Sequence, residues 1–374
     1  MAFLQANARR IVVKIGTNTL TGGGRSIDFA RLENLASQIA AVRARGLECI
    51  VVSSGAVGLG MGQLGLSARP KDLPTLQACA AIGQTLLMEN WKDVLQEHNL
   101  VPAQILLTHE DVRNRRRHVA VRNTMERLLH LGAIPIVNEN DTVSADEIKF
   151  GDNDLLSALV ASLTRADLLV ILSTIPGLLD RAQGDRLIPV VEEITPAISA
   201  LAGGTDSATA VGGMISKLEA AKVATRSGCG VFIGSGTHPS ILPQLVDGEP
   251  EGTFFVPQKI PLAARKRWLA FFERPVGVLT IDAGAVKALK NEGRSLLAKG
   301  VTGTSGNYPA GAIVTIHDPQ GNPIARGQVA YPSEAVKTLL GSSSAELRDR
   351  FPERKRLEVV HRDHLVVLES SGPE

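Results

Sequence analysis

Residues 9–15, Arg9-Arg10-Ile11-Val12-Val13-Lys14-Ile15, form a short apolar run that ends in a lysine and is followed at once by Gly16 and a glycine-rich loop, Thr17 to Gly24. Five runs of the same kind follow: LECIVVS (47–53), VPAQILL (101–107), GAIPIV (132–137), ADLLVIL (166–172) and GCGVFIG (228–234). Each has the length of a strand buried on both faces, and none shows the polar alternation of a half-exposed strand. Helical spacing appears between them. From Asp28 to Arg45, residues Leu32, Leu35, Ile39 and Val42 fall on one helical stripe, with Asp28 placed to cap it. Alternating β and α elements predict an αβα sandwich around a mostly parallel sheet, with ligands at the carboxyl ends of the strands.

The pattern changes near Phe254. Residues 256–274, with their prolines and the Arg265-Lys266-Arg267-Trp268 cluster, have the composition of a linker. Beyond Pro275 come GVLTID, a short helix from Ala283 to Lys290, and two alternating runs around a turn at Pro319 to Asn322. These predict a small β-rich module over 275–352 with a hairpin in it. The division is therefore 1–255, a linker 256–274, a module 275–352 and a tail 353–374. HLVVLE in that tail is a candidate edge strand.

Composition sets limits. The chain has 374 residues, a length suited to two domains, and a formal net charge of +2, which gives no long-range attraction to nucleic acid or membrane. Aromatics are 3%, so aliphatic residues must fill the core. Cys49, Cys79 and Cys229 have neither disulfide nor zinc spacing. No apolar run approaches the roughly 20 residues of a membrane span, and the first residues have no signal-peptide core. A reduced, cytoplasmic protein is expected.

Four motifs carry chemistry. Lys14 and Gly16, at the end of the first strand, suit a phosphate: lysine brings a compact cation and the loop brings backbone N–H groups. Val51 to Gly60 runs from a strand through Ser53-Ser54-Gly55 into a helix, where the turn can bind a carboxylate or a serine can simply cap the helix. Within it, Gly60-Met61-Gly62-Gln63-Leu64-Gly65 matches G-x-G-x-x-G but starts several residues past the strand, so a dehydrogenase is disfavoured. Asn138-Glu139-Asn140-Asp141 and Gly151-Asp152-Asn153-Asp154 place seven Asn, Asp or Glu residues at a strand end and a helix start. A cap accounts for one of them; the rest suit an ammonium, a lysine or a metal ion. Finally, Val211-Gly212-Gly213-Met214-Ile215-Ser216-Lys217 opens a helix with a lysine in an unfavourable dipole position that an anion would offset.

Together, K-I-G, S-S-G-A-V, N-E-N-D, G-D-N-D-x-L-S-A and G-G-M-x-x-K resemble the amino acid kinase family in order and spacing, over nearly the whole chain. SLLAKGV and GNYPAG resemble a PUA domain. The resemblance is to the branch of the family whose acceptor is the side-chain carboxylate of glutamate. It implies phosphoryl transfer from ATP with Mg²⁺ carried by the nucleotide and no protein-bound metal. Lys14 and Lys217 would embrace the phosphoryl group and Asp154 would hold both lysines. Ser54, Gly55, Asn138, Asp141, Asp152 and Asn153 would bind glutamate. Gly16, Ser173, Thr174 and the run Val211 to Lys217 would meet the nucleotide. It further implies a homo-oligomer, delivery of a labile acyl phosphate to a glutamyl phosphate reductase, and inhibition by proline. The chain departs from the family at Ser173-Thr174 (usually Thr-Asp), Leu179 (usually Tyr) and Val211 (usually Thr), so weaker or less selective ATP binding is expected. RNA binding by the PUA-like module is the rival of another class. The chain's near-neutral charge and its complete set of kinase motifs argue against RNA binding as the main role, and RNA binding by residues 275–352 stays open. The separate run Arg113, Arg115, Arg116 and Arg117 lacks interleaved aromatics and is expected at a solvated helix start or a subunit contact. His361 and His364 are expected on an exposed strand or turn rather than at a metal.

Overall fold

A computed structural model describes residues 8–143, 152–202, 213–248, 250–258, 275–350, 352–353 and 357–368. The chain divides into two compact units, Met1–Pro261 and Leu262–Glu374.

Unit 1 is built on β1 (Arg10–Ile15), β2 (Glu48–Ser53), β3 (Pro102–Leu107), β4 (Ile134–Glu139) and β5 (Leu168–Ser173). A two-residue pair, β6 (Leu179–Asp180) and β7 (Arg186–Leu187), stands apart from β8 (Val190–Val191), β9 (Gly230–Ser235) and β10 (Gly252–Phe255). The main sheet has the order β3-β4-β2-β1-β5-β9-β10-β8. It is parallel from β3 through β9, and β10 pairs with β9 antiparallel. All six apolar runs quoted above are strands of this sheet. In five of them the side chains, Val12, Val13, Ile50, Val51, Val137, Val170 and Ile233 among them, are buried, which accounts for the unbroken apolar runs. The exception is β3, which lies at the sheet edge and buries only Leu107 fully, so VPAQILL is not a strand covered on both faces. Helix Phe29–Ala44 follows β1, and the Asp28 side chain caps it by accepting from the Arg31 N–H. Cys49, Cys79 and Cys229 are free and buried. Burial pushes the Cys49 thiol up to about 12 and raises that of Cys229, so both are inert hydrophobes rather than nucleophiles.

The glycines of the apparent dinucleotide fingerprint serve packing instead. Gly60 and Gly62 lie inside helix Ala56–Gln63, which crosses helix Leu73–Gln96 at very short range. A Cβ on Gly60 would stand 1.9 Å from the Cys79 carbonyl oxygen, and one on Gly83 would stand 1.8 Å from that of Ala56. Only glycine at both positions lets the two backbones touch.

Unit 2 contains β11 (Val278–Ile281), β12 (Val301–Ser305), β13 (Ile313–His317), β14 (Pro323–Val329) and β15 (Val360–Val367), in the order β12-β11-β13-β14-β15. Its core includes Leu279, Ile281, Tyr308, Val314, Ile316, Ala325 and Val360. The predicted helix Ala283–Lys290 and the β13–β14 hairpin are present, and His364 to Val367 of the HLVVLE run lie in edge strand β15. His361 and His364 sit on that strand, and no His, Cys, Asp or Glu cluster able to hold a metal ion occurs among the described residues. Arg115, Arg116 and Arg117 open helix Arg115–His130, with Arg117 paired to Asp111 at 2.9 Å. No helix among the described residues is long and apolar enough to cross a membrane.

Candidate active site

The carboxyl ends of β1, β2, β4 and β5 carry the residues singled out in the sequence. At the centre is Asp154, in the first turn of helix Asp152–Thr164, where a carboxylate suits the positive end of the helix dipole. It is fully buried. Lys14, from β1, reaches its Oδ1 at 2.6 Å, and Lys217, from helix Met214–Arg226, reaches its Oδ2 at 3.2 Å. The Ser216 hydroxyl donates to the same Oδ2 at 2.7 Å. Burial alone would raise the Asp154 pKa; Lys14 and Lys217 outweigh it and hold the carboxyl below its ordinary range. Burial, joined by repulsion from Lys14, lowers the Lys217 pKa against the opposing pull of Asp154.

Two lysines share one carboxylate, so the three side chains together sum to one positive charge in a site nearly closed to water. Desolvated positive charge is costly, and an anionic ligand offsets that cost. The helix Met214–Arg226 begins beside this charge, so its unpaired backbone N–H groups add to the attraction.

On the β2–β4 side a relay of neutral polar side chains takes over. Asn138, at the end of β4, is buried. Its Oδ1 accepts from the Glu139 N–H at 2.9 Å and from Asn153 Nδ2 at 3.1 Å. Its Nδ2 donates to Gln84 Oε1 at 2.8 Å. Asn153 Nδ2 also meets Ser54 Oγ at 2.9 Å and the Ser53 carbonyl at 3.4 Å. Both lone pairs of Asn138 are thus in use, so it orients Asn153 at least as much as it offers itself to a ligand.

Neither Ser53 nor Ser54 caps the following helix. The N-cap is Gly55, at φ 111°, a left-handed conformation that disfavours any side chain there. Ser54 Oγ accepts from Asn153, and Ser53 Oγ accepts from the buried Trp91 Nε1 at 3.1 Å. The serines serve the site and its support, and the capping alternative is set aside.

Asp141 lies on the turn after β4, half-buried, within electrostatic range of Arg69. Burial lowers the Arg69 pKa while Asp141 opposes that shift. Asp152 begins its helix, and its side chain lies outside the described residues, as do Val211 and Gly212.

The β5–β9 side is more open. Ser173 ends β5, half-buried, and Thr174 is exposed. The Ser173 carbonyl accepts from the Gly236 N–H at 2.8 Å, and the Leu172 carbonyl accepts from the Gly16 N–H at 3.3 Å. Gly16 is at φ −75°, an ordinary value, so the left-handed turns of the loop fall farther on, at Gly22 (φ 63°) and Gly23 (φ 89°). Leu178 is buried, and its N–H donates to Thr253 Oγ1 at 2.8 Å. Gly213 and Met214 are half-buried at the start of their helix, and Ile215 is 61% exposed.

Gln84, Trp91 and Arg69 are parts of this site that the motifs did not indicate. Gln84 had one usable signal: it is a polar residue on the same helical stripe as Ala80, Leu87 and Trp91.

A mostly parallel sheet with an anion-attracting lysine pair at its carboxyl edge defines a phosphoryl-transfer class, and the chain belongs to the amino acid kinase family, whose family model matches residues 9–235. The PUA domain model matches residues 277–351. The chain is 44% identical over 364 residues to the glutamate 5-kinase of Caldanaerobacter subterraneus subsp. tengcongensis, covering 96% of this chain and 98% of that one. It is 46% identical over 365 residues to the glutamate 5-kinase of Thioalkalivibrio sulfidiphilus, covering 96% and 97%.

Proposed function

We propose that this chain transfers the γ-phosphoryl group of ATP to the side-chain carboxylate of L-glutamate, giving L-glutamyl 5-phosphate, the first step of proline biosynthesis. The observation that carries this reading is the buried Lys14–Asp154–Lys217 trio, with its net positive charge, beside the neutral Ser54–Asn153–Asn138–Gln84 relay. Relatives of nearly the same length bear the name glutamate 5-kinase.

A glutamate side chain, with a reference pKa near 4.3, is already ionised at neutral pH and needs no general base. One carboxylate oxygen forms a bond to the γ-phosphorus while the bond from that phosphorus to the β,γ-bridging oxygen breaks, and ADP leaves with the electron pair. No proton is transferred. The protein's task is in-line positioning and neutralisation of the phosphoryl oxygens. Lys14 and Lys217 supply that charge, and Asp154 spaces them. Both Asp154 oxygens are taken by the lysines and Ser216, so Mg²⁺ fits better on the nucleotide, where it would neutralise phosphate charge, than on Asp154.

The remaining roles follow the same reading: Ser54, Gly55, Asn138, Asp141, Asp152 and Asn153 toward glutamate; Gly16, Ser173, Thr174 and residues 211–216 toward ATP. A cytoplasmic homo-oligomer that passes its labile product to a reductase belongs to it as well. The test is ATP consumption with hydroxylamine trapping across a panel of amino acids. Trapped hydroxamate with glutamate alone is the expected result; stronger trapping with aspartate or another acceptor would overturn the assignment.

A further inference from the structure

Gln84 stands behind the acceptor side of the site with half of its amide unused. Its Oε1 accepts from Asn138 Nδ2, whereas its Nε2 has no hydrogen-bond partner, although the residue is only 8% exposed. At the other end of the same relay, Asn153 Oδ1 is buried and also without a partner.

Which end of each amide faces which neighbour is decided by backbone groups that cannot change role. The Glu139 N–H only donates, so the Asn138 atom it meets is oxygen. The Ser53 carbonyl only accepts, so the Asn153 atom facing it is Nδ2. Asn138 then presents its own Nδ2 to Gln84, which must answer with Oε1. The relay therefore ends in one spare donor, Gln84 Nε2, and one spare acceptor, Asn153 Oδ1. A buried polar atom left unpaired is unfavourable, and a ligand that pairs both atoms relieves both penalties together. An anionic oxygen and an ammonium on adjacent atoms have that polarity, and they meet at the α-carbon of an amino acid.

The sheet order places this end of the ligand. Lys14 lies on β1, and the relay lies at β2 and β4, the next two strands. Strands in a sheet are spaced by about 4.8 Å, so β4 stands ~10 Å from β1. A ligand whose reacting carboxylate lies at the lysines has its opposite end toward β2 and β4.

We propose that Gln84 Nε2 donates to the α-carboxylate of the acceptor, with Asn153 Oδ1 taking its α-ammonium, so that Gln84 selects α-amino acids over simpler carboxylates; this rests on the acceptor reading given above. The test is a cycle between residue and substrate group. It compares kcat/KM for L-glutamate and for 4-aminobutyrate, which keeps the reacting carboxylate and the ammonium but lacks the α-carboxylate, in the wild type and in Gln84→Met. Gln84→Met should lose at least about tenfold on glutamate and much less on 4-aminobutyrate, as expected when a site's hydrogen-bonding group loses its partner. Equal losses on both acceptors would show that Gln84 only props Asn138, and the proposal would fall. Gln84→Glu retains the oxygen that Asn138 needs but removes the donor. Its KM for glutamate should rise by about tenfold or more while its KM for ATP stays within about twofold. An unchanged KM for glutamate in Gln84→Glu overturns the proposal even if Gln84→Met does not fold. If the wild type does not use glutamate at all, the activity reading fails first. A wild type active on glutamate with a flat cycle sinks the Gln84 role alone.

Discussion

The two sides of the site solve different problems with different chemistry. At β1, charge is concentrated: two lysines on one buried aspartate, together summing to one positive charge. At β2 and β4, charge is absent from the relay, and amides hand hydrogen bonds to one another. The first arrangement is strong and undirected, which suits a phosphoryl group whose charge is spread over several oxygens. The second is weaker per bond but reads donor against acceptor, which suits recognition of a substrate. The comparison teaches that turnover should depend on the charged side and acceptor selectivity on the neutral one.

The largest effect should come from breaking the charged side. Lys217→Ala is expected to lower kcat by on the order of 10³ while the protein stays folded, because one of two charge-neutralising groups is gone. Steady-state kinetics beside a circular-dichroism melt would check this, and a variant keeping most of its kcat would refute the role of Lys217.

The same side sets a pH dependence. Burial lowers the Lys217 pKa, so kcat/KM for ATP should decline on the alkaline side at lower pH than the ~10.4 of an ordinary lysine. Asp154 is shifted down in the folded state by its lysines. Its contribution to stability is therefore fully present above the unfolded value near pH ~3.9, and is lost as pH falls through the lower folded value. A pH–rate profile that stays flat to pH ~10 would contradict the first statement.

The neutral side should be most sensitive to what supports it. Gly83→Ala drives a Cβ into the Ala56 carbonyl and forces two helices apart, beside Gln84. It should cost about 1–3 kcal/mol of stability, as overpacking does, and raise KM for the acceptor more than for ATP. Denaturant melts and the two KM values report this; a fully stable Gly83→Ala with wild-type kinetics would show that the close helix contact is not needed. Trp91→Phe removes the N–H that meets Ser53 and should cost about 1 kcal/mol, with little change in kcat.

The smallest difference concerns the nucleotide. Ser173, Thr174 and Leu179 depart from the family pattern at the more open β5–β9 side, so the ratio of kcat/KM for ATP over GTP is expected to stay within about tenfold, little more than one lost or gained polar contact. Strong ATP-only turnover with a low KM would contradict this.

Much of the architecture was legible because burial on both faces leaves a plain mark. Five of the six apolar runs are interior strands, which have no solvent face to decorate, whereas β3 is the edge strand and is only partly covered. Asp28 caps its helix, and Ala283–Lys290 is a helix, because caps and helical spacing act within a few residues. Lys14, Asp154 and Lys217 were legible as charges at strand ends and helix starts, where an ordinary core has no use for them. Gln84 and Trp91 were not, since a residue on the buried stripe of a long helix has the same spacing whether it packs or binds. The fingerprint-like Gly60, Gly62 and Gly65 could not be told from a phosphate loop by spacing alone, apart from their distance from β2.

The amino-acid sequence by itself determined the strand order of events along the chain, the kinase motifs and the lysines that attract a phosphoryl group, because periodicity and charge are local properties. Tertiary structure decided which partners those groups take. Only when the helices Asp152–Thr164 and Met214–Arg226 pack together beside β1 do Lys14 and Lys217 meet on one carboxylate. Only when β2 and β4 also lie side by side do Ser54, Asn153, Asn138 and Gln84, up to a hundred positions apart in the chain, form one relay whose backbone anchors settle the direction of every hydrogen bond.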